Sequence, residues 1–137
     1  MTNEGRAKGR KTVIILLMLL IAAAHIINIE SYLKGELYHF YFGYFSDLVI
    51  PFGFYFLLVL LEEQLPFLRH WQAKLAVAFL LPSFAETCQL FGLPVLGSTF
   101  DLLDYLMYAL GTTLAVIIDL HVFSRVFSFW KREKIIP

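Results

Sequence analysis

Two polar pairs stand where an apolar run should carry no charge. Glu86-x-x-Gln89 lies inside one hydrophobic segment, and Asp101-x-x-Asp104 opens the next. Residues three apart share a helix face. On the second segment Asp101, Asp104, Tyr105, Tyr108, Gly111 and Thr112 fall at offsets 0, 3, 4, 7, 10 and 11, one stripe down a helix. Asp47 begins a further apolar segment, and His25 and Asn28 lie near the end of the first. Carboxylates in an apolar medium can hold a cation, exchange a proton, or serve as general acid or base. Placing one at a membrane helix centre costs at least about 2.5–3.5 kcal/mol. Several at one level repel unless one takes a proton or a cation sits among them.

Each candidate also has a plain structural role. Asp101 fits a helix cap, since Ser98-Thr99-Phe100-Asp101 matches S-x-x-[DE] and an acid suits a helix start. Asp47 and Asp104 fit solvated interfacial charges, His25 a bundle residue, and Cys88 an inert core thiol. Glu86 has the weakest structural excuse, because its neighbours are apolar. The chain has no Walker loop, GxGxxG, HExxH or nucleophile elbow. No cofactor motif and no nucleic-acid-binding pattern is present, and no metal-ligand set is defined. The single cysteine excludes an intrachain disulfide.

The elements that position these residues follow from hydropathy. The chain has 137 residues, enough for one domain, and 59 % of them are hydrophobic. Mean hydropathy is +0.71. The apolar residues fall in long runs, the membrane signature. The reading is an all-α polytopic membrane protein, one domain over 1–137 with four transmembrane helices in a small bundle. The helices are expected at about 12–28, 44–62, 74–91 and 100–122, with an amphipathic tail over 123–137. An alternative for the first run is a cleavable signal peptide ending near Ala22-Ala23-Ala24. The aromatic stretch 29–45 reads as an interfacial loop. Pro51 and Gly53 are placed to bend the second helix. Gly111 is placed to admit a neighbouring helix closely.

Charge sets the orientation. Of eleven Lys and Arg, four precede the first run, two lie in the loop at 62–74 and four follow the last run. Lys34 alone lies in the other loops. The positive-inside rule then puts both termini in the cytoplasm of a multi-pass cell-membrane protein. Glu86, Gln89, Asp101, Asp104, Tyr108 and Asp47 come to one outer-leaflet level as a candidate binding pocket. Glu62 and Glu63 read as the wet inner end of the second helix. Asp119 reads as an inner-side structural group near His121 and Arg125.

The order Glu86-x-x-Gln89, hairpin, Asp101-x-x-Asp104 and Gly111 resembles the VanZ-like family of small bacterial membrane proteins. The resemblance spans roughly 44–120, with its specific part at 86–111. Gly97, Ser98 and Thr99 occupy the hairpin where the family often has Arg, and Tyr108 stands where it usually has Asn. The resemblance implies an envelope role linked to glycopeptide tolerance, with no defined reaction. The expected partners are the lipid bilayer and a cation, a lipid headgroup or an envelope precursor at the pocket, with homo-oligomers left open. A small proton-coupled transporter and an enzyme acting on a lipid-linked substrate are the alternatives.

Overall fold

A computed structural model describes residues 2–27, 34–93 and 100–130. The described residues are helical and turn, without a strand. Helix α1 is Asn3–Ile26, α2 Glu36–Leu60, α3 Trp71–Leu90 and α4 Leu102–Ile117. A single 3-10 turn, Pro66–Arg69, links α2 to α3. After α4 the helix widens into a π-turn over Ile118–Phe123, then α5 (Ser124–Val126) and a 3-10 turn at Ser128–Trp130.

Two helices extend beyond the expected spans. The basic tail is helical from Asn3, because it lacks proline and Thr2 caps it: Thr2 Oγ1 accepts from the Gly5 N–H at 3.3 Å. An exposed Lys8–Glu4 pair at 3.1 Å adds little. Helix α2 starts at Glu36 instead of 44, so much of the expected aromatic loop is helical. Gly35 enters it at φ +66°, a conformation that glycine adopts without cost. Tyr41 and Phe45 stack at 4.6 Å one turn apart, and the Tyr41 hydroxyl donates to the Ala24 carbonyl of α1 at 2.6 Å. Helix α2 continues through Pro51, and α3 through Pro82.

Three segments are long and apolar enough to cross a bilayer: Asn3–Ile26, Gly43–Leu60 and Leu102–Val126. The chain is a helical membrane protein on that basis. Three of the four expected spans meet that measure, and α3 does not. Helix α3 has 20 residues, about 30 Å, but Lys74, Ser83, Glu86 and Gln89 dilute its apolarity. Large apolar side chains cover the outside, among them Leu16, Leu19, Leu102 and Leu106. In water that surface would be a liability; in hydrocarbon it is the solvent contact.

Helix α2 packs against α1, α3 and α4, and α4 packs against both α2 and α3. At Gly111 a Cβ would collide with the Leu48 carbonyl oxygen and stand 3.2 Å from Pro51 Cγ. The glycine therefore brings the two backbones into contact. The core gathers Ile14, Tyr55, Phe56, Leu68, Ala78, Ala115 and Trp130. The aromatic residues of the expected amphipathic tail turn into that core over 123–130. Phe123 meets Phe56 at 5.4 Å and Trp130 at 4.7 Å. The rest of that expected tail, 131–137, lies outside the described residues.

Candidate functional site

The site begins with Glu86 on α3, 2 % exposed. Its Oε1 accepts the backbone N–H of Asp101 at 2.8 Å. One buried carboxylate thus ties α3 to the start of α4. Asp101 caps α4 as its spacing predicts: Oδ1 accepts from the Leu103 N–H at 2.9 Å. The Ser98 half of the expected capping box lies outside the described residues, as does the hairpin around Gly97 and Thr99. Asp101 has a second role. Its Oδ2 accepts the Tyr44 hydroxyl of α2 at 3.3 Å. The cap and the site are the same residue.

Tyr108, buried one turn before Gly111, closes the cluster. Its hydroxyl lies near the Asp47 carboxylate of α2 and the Glu86 carboxylate of α3. Asp104 is half-buried in the first turn of α4, near Asp47, Glu86 and Asp101. Beside this cluster the Thr87 and Tyr105 hydroxyls meet at 2.8 Å, a second rung between α3 and α4. Asp47, Glu86, Asp101, Asp104 and Tyr108, picked from spacing, thus come together on three helices. Gln89 is half-buried one turn beyond Glu86 on the same face. Among the described residues no Lys or Arg is ion-paired with the four acids. Nor do three His, Cys, Asp or Glu side chains there form a group that could hold a metal ion.

His25 does not join the cluster by any bond described. Its Nδ1 contacts the Ile21 carbonyl at 2.8 Å and its Nε2 the Ser46 hydroxyl at 3.2 Å. Asn28 lies outside the described residues. Tyr44 was hidden in the aromatic run. Its position three residues before Asp47, on the same helix face, was the available signal.

The opposite end of the bundle holds a second polar group that spacing misplaced. Glu62, expected to be wet, is 4 % exposed, and Lys74 is wholly buried. Lys74 Nζ donates to Glu62 Oε1 at 2.5 Å and to the Leu68 carbonyl at 3.0 Å. Arg10 donates to Glu62 Oε2 at 3.4 Å and to the Trp130 carbonyl at 3.0 Å. Lys74 also lies 5.4 Å from the Tyr55 ring centroid. Asp119, on the π-turn, accepts the Tyr55 hydroxyl and the Trp130 indole N–H, each at 2.7 Å. Its expected neighbours, His121 and Arg125, do not supply these bonds. The groups close a ring: Arg10, Glu62, Lys74, Tyr55, Asp119, Trp130 and back to Arg10. Among the described residues Glu62 is thus ion-paired with two cations, whereas the four acids at the other end have no such pair.

Trp130→Phe keeps most of the ring packing but removes the indole donor to Asp119. It is expected to cost about 1–3 kcal/mol, the penalty of a buried charged acceptor that loses a partner, read as a lowered thermal midpoint in detergent.

Compared with protein-family models, with curated proteins and with solved structures, the chain matches none of them.

Proposed function

We propose that this chain is a VanZ-like integral membrane protein of the bacterial envelope whose acidic cluster binds a cationic group of an envelope component. In this reading α3 crosses the membrane with the other three helices. Both termini are cytoplasmic, and Asp47, Glu86, Asp101 and Asp104 sit at the outer leaflet. The ten-to-one division of Lys and Arg supports that orientation. The Glu-x-x-Gln, Asp-x-x-Asp and Gly111 spacing supports the family.

One observation carries the binding function. Asp47, Glu86 and Asp104, from three helices, lie near Tyr108, and Asp101 lies beside Glu86, with no Lys or Arg paired to the four among the described residues. Like charges so placed in an apolar medium attract a cation. Acceptors spread over three helices suit an organic ammonium, which donates hydrogen bonds in several directions.

Glu86→Gln and Asp104→Asn test this reading. The glutamine side chain keeps an acceptor for the Asp101 N–H, so charge is removed and the anchor stays. In a teicoplanin-sensitive bacterium, wild-type protein is expected to raise the inhibitory concentration several-fold. Each variant, at equal membrane abundance, is expected to lose most of that gain. Calorimetric titration of the purified chain with ethanolamine should show binding that both variants weaken about tenfold or more, the effect of losing about 1.4 kcal/mol. Variants equal to wild type in both measurements would sink the proposal.

A proton-coupled carrier is the second reading. The nearness of the Tyr108 hydroxyl to Asp47 and Glu86 favours it, since a hydroxyl can pass a proton between two carboxylates. Ammonium uptake into vesicles with simultaneous proton release would support the carrier; binding without uptake would leave the first reading.

A further inference from the structure

The link from α2 to α3 begins where a bilayer-crossing segment ends. Gly43–Leu60 is long and apolar enough to span, so the residues that follow it stand at the boundary of lipid and water. Large apolar side chains are displayed there. Leu65 is 41 %, Phe67 55 % and Trp71 37 % exposed. Arg69 and His70, between Phe67 and Trp71 in the chain, are exposed with them.

The display is held in place. Pro66 opens the 3-10 turn and fixes its own φ. Leu68 is 1 % exposed in the core, and its carbonyl accepts from Lys74 Nζ at 3.0 Å. Arg69 Nε donates to the Glu62 carbonyl at 3.4 Å. That bond anchors the root of the guanidinium group. Among the described residues no carboxylate is paired with it, not even Glu63, which is exposed in the same link.

Two properties define the partner. Aromatic rings at the end of a span settle at headgroup level. A guanidinium beside them offers a planar fork of N–H donors that matches a phosphate. The charge of this end then selects among phosphates. Lys and Arg outnumber Asp and Glu there, and neither Lys11 nor Arg125 is in an ion pair among the described residues. A zwitterionic headgroup brings its own ammonium into that excess of cations; an anionic one does not.

We propose that the Leu65–Trp71 link is a headgroup site for an anionic phospholipid, with Arg69 on the phosphate and Phe67 and Trp71 at the boundary with its acyl chains. Apart from its membrane setting, this inference is independent of the acidic cluster at the other end of the bundle and of which side of the membrane either end faces.

The chain carries two tryptophans, and Trp130 is only 2 % exposed, so Trp71 is a reporter within the site. The full chain is reconstituted in phosphatidylcholine vesicles with rising fractions of phosphatidylglycerol brominated high on its acyl chains, or of equally brominated phosphatidylcholine. Bromine quenches indole fluorescence on contact. Phosphatidylglycerol is expected to occupy the contact with Trp71 about fivefold more readily, the equivalent of about 1 kcal/mol for one cation at a membrane surface. Arg69→Gln should bring that ratio close to one. Arg69→Lys keeps the charge without the fork and should fall between. Lys11→Gln and Arg125→Gln remove cations of the same end outside the link and should leave most of the preference. Equal quenching of the wild-type protein by both lipids would overturn the proposal. So would no quenching by either, which places the link against water or another protein. An equal loss in all three glutamine variants would also overturn it, as a diffuse charge effect only.

Discussion

Glu62→Gln is expected to destabilise this protein by about 3–5 kcal/mol, the cost of breaking a buried ion pair by removing one partner. The carboxylate faces two cations, Lys74 at 2.5 Å and Arg10 at 3.4 Å. Neutralising it leaves the wholly buried Lys74 ammonium without its counter-charge. Arg10 suffers less, because its side chain is 20 % exposed and keeps the Trp130 carbonyl. Lys74→Met removes the ammonium instead and fills its space with an apolar chain. The Glu62→Gln/Lys74→Met double variant is expected to lose clearly less than the sum of the two single variants, because the second substitution removes the charge that the first one stranded. Unfolding in mixed micelles measures all three. Strict additivity would show that the pair contributes nothing specific.

Gly111→Ala is expected to act on the site through the fold. The added methyl would meet the Leu48 carbonyl, a backbone atom that cannot rotate away. Helices α2 and α4 must separate, at a cost of about 1–3 kcal/mol for overpacking. Asp47 adjoins Leu48 on one helix, and Tyr108 lies one turn from Gly111 on the other. The same separation therefore draws Asp47 from the Tyr108 hydroxyl, and ethanolamine binding should weaken together with stability. Gly43→Ala is the control. It is also helical, nothing stands within 4 Å of its would-be Cβ, and a gain of about 0.5–1 kcal/mol in helix preference is expected there. Equal behaviour of the two variants would refute the close contact.

Much of this was legible before any coordinates. The acids and Tyr108 could be picked because charge within an apolar run is conspicuous, and their offsets of three and four assign them to one face. Gly111 could be picked as a contact point for the same reason of spacing. Helix ends were less legible. The aromatic residues after Gly35 and the basic residues after Thr2 extend their helices, and side-chain polarity alone does not tell a helical turn in an interface from a loop there.

What the sequence determined by itself is local in origin. Lengths of apolar chain dictate helices in a membrane, because each backbone polar group must find its bond within the segment. Helical spacing dictates which residues can act together on one helix. The tertiary structure alone decided which helix each face meets. Glu62 pairs with Lys74, 12 residues away, and with Arg10, 52 away; Tyr55 reaches Asp119, 64 away. It also decided that Trp130 turns inward and that Asp101 both caps α4 and binds Tyr44. The physical reason is that a charge takes whichever partner the rotation of neighbouring helices supplies. That rotation is set by close contacts such as Gly111 against Leu48, which involve the packed backbones and leave no periodic trace in the chain.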